Sequence, residues 1–203
     1  MTLEHHPLEP FLPPGAETLF LDSFPPPRER WSMEFFYPNF INDFWRVMGL
    51  VHFGRADWFE SSADLSAARK VFDRARIVAF CKEHGLAFFD TARTVRRLKD
   101  NASDAFLEVV EPTDVGSLLD RLPECRRIVT TGGKASEELS GILAAAGAGF
   151  HAGPTGKVPL PGVGECRRLE AWGREIEWWR MPSTSRAYPL SLQKKADFYR
   201  KLF

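Results

Sequence analysis

The sequence predicts an α/β fold with a mainly parallel central β-sheet that is covered by helices on both faces. Short apolar runs alternate with longer segments whose apolar residues recur at helical spacing, which is the order typical of a parallel sheet. The chain has 203 residues, of which 44% are hydrophobic, so it is long enough for one domain with a sizeable core.

Turn residues and apolar spacing place the elements in order along the chain. Residues 1–16 are rich in Pro and Glu and are predicted to form an irregular N-terminal arm, and residues 17–203 form the single predicted domain. The predicted strands are Thr18–Leu21, Leu86–Phe89, Arg127–Thr131 and Ile176–Met181. The predicted helices cover residues 42–51, 64–84, 115–122, 133–146 and 190–203, and residues 147–164 form a Gly- and Pro-rich loop.

Composition excludes several classes of protein and leaves nucleic-acid binding open. Basic and acidic residues number 27 each, and a local basic patch is enough to hold phosphates at zero net charge. The three cysteines form no CxxC pair and His5-His6 has no third ligand nearby, so no metal site is expected. Because the chain has no secretory signal and no run of about 18 apolar residues, we expect a cytoplasmic monomer with no membrane partner.

Four polar, irregular segments follow the predicted strands. They are Asp22–Pro27, Asp90–Val95, Thr131–Lys134 and Met181–Arg186. In parallel sheets, ligands bind beyond the carboxyl ends of the strands. The four segments are therefore expected to converge on one site.

These segments carry motifs that resemble those of the uracil-DNA glycosylase superfamily. Leu21-Asp22-Ser23-Phe24-Pro25, followed by residues 36–45, resembles the first motif, Gly-x-(Asn/Asp)-Pro with a downstream aromatic and an Asn-x-Phe-Trp helix. Met181-Pro182-Ser183-Thr184-Ser185-Arg186 resembles the last motif, His-Pro-Ser or Asn-Pro-Ser. Residues 88–95 are similar to the segment with the base-reading Asn, and residues 128–135 to the strand and Gly-Lys turn before the penultimate helix.

The most similar branch includes hypoxanthine-DNA glycosylases and mismatch-specific uracil glycosylase-like proteins. The resemblance implies a three-layer α/β/α sandwich with neither metal nor redox cofactor. It also implies a monofunctional DNA glycosylase, which hydrolyses the N-glycosidic bond of a flipped, deaminated base, uracil or hypoxanthine, in DNA.

Two departures from the family motifs bear on catalysis. Phe24 aligns with the water-positioning Asn or Asp, and Met181 aligns with the His or Asn of the last motif. An apolar ring cannot hold water, and a thioether offers the base no useful hydrogen bond. The remaining catalytic candidates are Asn42 and Asp90, helped by the backbone amides near Ser23 and by the DNA phosphates.

Both catalytic candidates also have a plain structural interpretation. Asn42 begins a helix, where Asn is a favoured N-cap, so it either caps that helix or holds the water or the base. An ionised Asp90 at the base-reading position would accept the N1–H of hypoxanthine and repel O4 of uracil, unless burial kept it protonated. Alternatively, Asp90 caps the turn at Thr91 or pairs with Arg93 or Arg96.

The resemblance also assigns residues to the base and to DNA. Tyr37, with Phe36 as a rival, lies where the family stacks an aromatic on the flipped base, although plain burial is the alternative. The predicted base-binding residues are Ser23, Phe24, Tyr37 and Met181. Small hydroxyls, free amides and cations suit phosphate, although a capped helix followed by a solvated Arg would look the same. The predicted DNA-binding residues are Pro25, Lys134, Pro182, Ser183, Thr184, Ser185 and Arg186, and the cluster Arg93, Arg96, Arg97 and Lys99 either extends this strip or is a solvated surface.

A non-catalytic protein that binds DNA or a nucleobase on the same fold is the main alternative function, and Phe24 and Met181 favour it. An unrelated hydrolase would need a Gly-x-Ser-x-Gly elbow or a Cys–His pairing, and neither stands out.

Overall fold

The computed structural model of the chain describes residues 3–61, 70–98, 106–148 and 156–203. The strands are β1 Leu3–His5, β2 Thr18–Asp22, β3 Leu86–Asp90, β4 Ala92–Arg97, β5 Leu107–Pro112, β6 Arg127–Thr131, β7 Glu165–Ala171 and β8 Arg174–Met181. The helices are α1 Phe44–Phe53, α2 Arg74–Glu83, α3 Val115–Asp120, α4 Gly133–Ala145 and α5 Leu192–Tyr199, with short 3-10 turns at Arg28–Arg30 and Arg200–Leu202.

A five-stranded sheet with the order β3-β2-β6-β8-β7 forms the centre of the fold. The pairs β3–β2, β2–β6 and β6–β8 are parallel, and β7 joins β8 as an antiparallel edge. A second, antiparallel sheet has the order β1-β4-β5. The α/β class is confirmed, but the parallel arrangement covers only four of the strands.

The apolar strands become the parallel core because they are buried on both faces. Every residue of β3 and the first four of β2 are buried, as expected for strands covered by helices on each side. Phe20 and Phe88 lie in register and stack with their ring centroids 5.3 Å apart, and Phe44 of α1 packs edge-on against Phe20. This places the face of the sheet that carries Phe20 and Phe88 under α1.

Several predicted boundaries were wrong, and each has a local cause. The helix predicted at residues 64–84 is helical only from Arg74 among the described residues, because the Asp73 side chain caps that end and Phe72 bridges to Glu60. Residues 64–69 of the predicted helix lie outside the described residues, as does Lys99 of the basic cluster. The arm predicted to be irregular contains β1, which pairs with β4.

Strands β4, β5 and β7 were not predicted. Their many charged side chains obscure the alternation of apolar and polar residues that marks a strand. These charges form ion pairs between neighbouring strands, as Arg96 does with Glu108 and Arg168 with Glu177. Within the described residues no helix combines the length and the hydropathy that crossing a bilayer requires.

Candidate functional site

The strand order reverses direction at the carboxyl ends of β2 and β6. The chain leaves β2 for β3 on one side, whereas β6 lies on the other side of β2 and leads on towards β8. Such a reversal of direction is where open parallel sheets bind ligands. The residues that end β2 and β6 are Asp22 and Thr131.

Four side chains form a row along this edge. Asp22 is in register with Asp90, and Thr131 is in register with Met181. Leu21 pairs with Thr130, so Thr131 follows beside Asp22. Side chains of register partners in a sheet share a face. The edge row is therefore Asp90, Asp22, Thr131 and Met181, on the face that also carries Phe20 and Phe88.

Tyr37 reaches the edge row with its hydroxyl. The phenol oxygen lies 2.9 Å from Thr131 Oγ1, and the ring stacks flat on Phe44 with centroids 3.7 Å apart. Burial raises the pKa of Tyr37 well above its usual value, and the charge of Asp22 raises it further, with smaller contributions from Tyr199 and Asp90. Tyr37 therefore stays a neutral hydroxyl beside two carboxylates.

Tyr199 adds a second neutral hydroxyl from α5. Its hydroxyl donates to the backbone oxygen of Pro182 at 3.0 Å. Burial raises the pKa of Tyr199 well above its usual value, and Asp22 raises it again. The Asp22 carboxylate thus contributes to the raised pKa of both phenols.

Asp22 is the functional candidate that sequence reasoning missed. The predicted base-binding residues of this segment are Ser23 and Phe24, because the family motif has its polar side chain at the third position. Asp22 stands where that motif has Gly, is partly exposed, and accepts a 2.9 Å hydrogen bond from the Ser23 amide. An ionisable residue directly after a buried apolar run was the signal in the sequence.

Asp90 pairs with a residue that sequence analysis did not connect to it. His6 Nε2 lies 3.0 Å from Asp90 Oδ2, and both side chains are almost completely buried. The expected partners do not hold it: Arg96 pairs with Glu108, and Arg93 lies over the Phe89 ring. The role of Asp90 in reading the base stays a prediction.

The predicted residues after β2 take different directions. Phe24 is buried in a second apolar cluster with Ala92, Val95 and Leu107. Its ring also meets His6 edge-on at 5.4 Å. Ser23 is buried beside Asp22, and the Pro25 oxygen accepts a 2.7 Å bond from Arg97 Nη2.

The loop of residues 182–186 is held by α1 and α5. The Asp43 amide donates to the Thr184 oxygen at 2.9 Å, and Lys195 Nζ donates to the Ser185 oxygen at 2.7 Å and to Asp43 Oδ2 at 2.9 Å. Lys195 is completely buried, whereas the Arg186 side chain is 55% exposed and reaches Asp43 Oδ1 at 3.3 Å. This network brings residues 182–186 to the edge row.

The Gly132-Gly133 turn packs against the same loop. Gly132 has φ +93° and ψ 177°, and its amide donates to the Met181 oxygen at 3.0 Å. A β-carbon on Gly132 would lie 3.3 Å from Ser183 Cβ. Lys134 follows in α4 and pairs with Glu138 at 2.8 Å. Two of the predicted DNA-binding segments therefore lie side by side.

Replacing Gly132 with Ala is expected to lower the free energy of unfolding by about 1–3 kcal/mol, because this backbone conformation is essentially restricted to glycine. Gly133→Ala is the matched control, since a β-carbon there meets nothing within 4 Å. Urea denaturation of both variants measures the difference. Equal stability of the two variants would contradict this account of the turn.

Asn42, Arg96 and Arg97 each contact a partner within the fold. Asn42 is not the N-cap of α1, which is Asp43; its Oδ1 instead accepts the Phe44 amide two residues on at 2.8 Å, in the turn that leads into the helix. Arg97 pairs with Glu4, so two of the three described members of the basic cluster, Arg96 and Arg97, are in ion pairs. Across the described ranges, no three His, Cys, Asp or Glu side chains gather closely enough to hold a metal ion.

A cavity of about 410 Å³ lies beside the edge row rather than over it. It opens between the N-terminal segment and α3, with Phe89 and Thr113 on its inner wall. Thr113 Oγ1 donates to the Asp90 backbone oxygen at 2.7 Å. The cavity thus adjoins the Asp90 end of the edge row.

Comparison with known proteins identifies the fold. No protein-family model matches the sequence, and no curated protein matches it. Among solved structures, a solution NMR structure of a candidate uracil DNA glycosylase from Methanosarcina acetivorans matches 99% of this chain and 99% of its own, with a TM-score of 0.59 and 19% identity. The chain shares that fold.

In this uracil-DNA glycosylase-like fold, the edge row and the 182–186 loop meet at one end of the parallel strands. Asp90, Tyr37 and Met181 are brought together there, while Phe24 packs against the second sheet.

Proposed function

We propose that the chain is a monofunctional DNA glycosylase that hydrolyses the N-glycosidic bond of a deaminated base, uracil or hypoxanthine, extruded onto the edge row. The single observation that carries this proposal is the position of the Asp22 carboxyl group at the switch point of the sheet, in register with Asp90 and beside Thr131, whose hydroxyl contacts Tyr37. Asp22 supplies a charged group at a site where Phe24 and Met181 supply none.

The chemistry needs negative charge near the sugar and hydrogen-bond donors near the base. Loss of the base leaves positive charge on the sugar, which a fixed carboxylate stabilises while it orients the attacking water. Asp22 is assigned that role. Tyr37 stays neutral and can donate a hydrogen bond from its hydroxyl to an oxygen of the departing base.

DNA is assigned to the rim that surrounds the edge row. The exposed Arg186 and the hydroxyl-rich loop of residues 182–186 face the same end as the first turn of α4 with Lys134. Backbone amides at a helix start and small hydroxyls are common phosphate ligands. The same proposal includes three finer points: a three-layer arrangement, a monomeric enzyme, and membership of the branch that includes hypoxanthine-DNA glycosylases and mismatch-specific uracil glycosylase-like proteins.

Oligonucleotides that carry uracil, hypoxanthine, xanthine or a thymine mismatch test the proposal. After incubation with the protein, hot alkali cleaves the strand at each abasic site. Cleavage at uracil or hypoxanthine that depends on the protein is expected. Intact strands from all four substrates would reject a glycosylase.

A non-catalytic binder of DNA is the second candidate, and the closed edge row favours it. Met181 has no exposed surface, and Tyr37 is 7% exposed beneath its stacking contact with Phe44. A base reaches the edge row only if Tyr37 or its neighbours move. Retained DNA binding without base release would support this candidate.

A further inference from the structure

The first residues of the described chain form a strap along β3 and β4. In residues 3–11, which we call the N-terminal strap, β1 pairs with β4 and the His6 amide donates to the Arg93 oxygen at 2.8 Å. Phe11 and Phe88 exchange two backbone hydrogen bonds, of 3.0 and 2.9 Å. The strap thereby covers the outer edge of β3 and carries His6 to the end of that strand.

The His6 ring is fixed on every side. Nε2 lies 3.0 Å from Asp90 Oδ2, and Nδ1 lies 2.9 Å from the Leu8 oxygen and 3.2 Å from the Leu8 amide. Phe89 packs against the ring with centroids 4.4 Å apart, and Phe24 closes the other approach. The side chain is 2% exposed, so His6 holds one oxygen of the carboxylate in a single position.

This contact changes what Asp90 can offer a base. An ionised carboxylate has two acceptor oxygens and no donor. His6 engages Oδ2, so the carboxylate presents Oδ1 as its acceptor to a neighbouring group. Asp22 is the register partner of Asp90 on the same face, so the two carboxyl groups lie side by side at this edge.

The hydrogen-bonding edge of a deaminated base is complementary to a single acceptor oxygen. Uracil and hypoxanthine carry a ring N–H beside a carbonyl oxygen, whereas cytosine and adenine carry a ring nitrogen acceptor beside an amino group. A second carboxylate oxygen would face the carbonyl oxygen of uracil or hypoxanthine and repel it. By engaging Oδ2, His6 removes that conflict.

We infer that His6 is a specificity-determining residue, which positions Asp90 so that Oδ1 accepts the ring N–H of a deaminated base. The inference rests on the base site of the proposed function and deepens it. It assigns the N-terminal strap to the site, although His6 and Asp90 are 84 residues apart in the sequence.

Binding to bases that resist hydrolysis tests the inference separately from catalysis. The probes are single-stranded oligonucleotides with one 2′-fluorinated nucleoside, whose base is uracil, cytosine, hypoxanthine or adenine. Fluorescence anisotropy gives the Kd of each probe for the full chain. We expect the wild-type chain to bind the uracil and hypoxanthine probes about tenfold more tightly than their amino-bearing parents.

Two substitutions at His6 separate its hydrogen bond from its volume. His6→Gln keeps a donor for Asp90 and is expected to keep the discrimination, whereas His6→Leu removes the donor and is expected to abolish most of the tenfold preference. His5→Leu is the matched control in the same strap, because His5 contacts Thr94 instead. Circular dichroism of each variant checks folding.

Asp90→Asn keeps the shape of the side chain and tests the same pair if His6→Leu does not fold. His6 then donates to the amide oxygen, and the NH₂ group faces the base, so the preference should reverse towards cytosine and adenine. Any one of three results overturns the inference. These are equal binding of all four probes by the wild type, a preference that survives in folded His6→Leu, and an Asp90→Asn variant that keeps the wild-type preference.

Base release from the unmodified oligonucleotides is measured in parallel. If the protein distinguishes the probes but releases no base, the glycosylase proposal is rejected and the role of the His6–Asp90 pair is supported. If the protein releases the base but binds all four probes equally, the role of the His6–Asp90 pair is rejected and the glycosylase proposal is supported.

Discussion

Asp22→Asn is expected to lower the rate of base release by at least about 100-fold, the usual effect of removing one preorganised group that stabilises transition-state charge. Asn keeps the shape and can still accept the hydrogen bond from the Ser23 amide, but it carries no charge. The loss therefore reports the electrostatic role of the carboxylate. Single-turnover release from a uracil or hypoxanthine oligonucleotide measures it.

Stability separates this effect from misfolding. Because Asn has nearly the same shape as Asp and can still accept from the Ser23 amide, the variant is expected to fold, and its melting temperature checks this. Asp120→Asn, at the exposed end of α3, is the matched control and should release base at the wild-type rate. Wild-type release by Asp22→Asn would remove Asp22 from the mechanism.

Lys195→Met is expected to lower the free energy of unfolding by about 3–5 kcal/mol, because losing one partner strands the other charge of a buried pair. Asp43 would keep only the longer contact to the half-exposed Arg186, and the Ser185 oxygen would lose its donor. Urea denaturation measures the change. Lys194→Met changes an exposed neighbour in the same helix and should stay within about 0.5 kcal/mol of the wild type.

The same substitution should weaken DNA binding, since Lys195 and Asp43 hold the loop of residues 182–186 in place. If the unfolding free energy of Lys195→Met is within about 1 kcal/mol of the wild type, the loop of residues 182–186 does not depend on the Lys195–Asp43 pair.

The parallel strands could be predicted because their apolar runs are buried on both faces, which leaves a continuous pattern in the sequence. The ends of those strands then placed Asp90, Thr131 and Met181 at one edge, as the registers confirm. Strands β4 and β5 could not be predicted, because cross-strand ion pairs such as Arg96 with Glu108 look like a solvated charge run.

The site was predicted less well than the fold. The face on which Phe24 packs depends on the second sheet, which periodicity did not indicate. The contact between His6 and Asp90 joins segments that are far apart in sequence, so no local pattern carries it. Asp22 directly follows a predicted strand, but the polar position of the family motif lies two residues downstream, at Phe24.

Mass spectrometry of a reaction at excess protein, on an oligonucleotide with one uracil or hypoxanthine, tests the central claim most directly. The account predicts free base and abasic strand in equal amounts, with the backbone intact until alkali is added. DNA that is bound in full, yet yields no free base from either substrate, would contradict it.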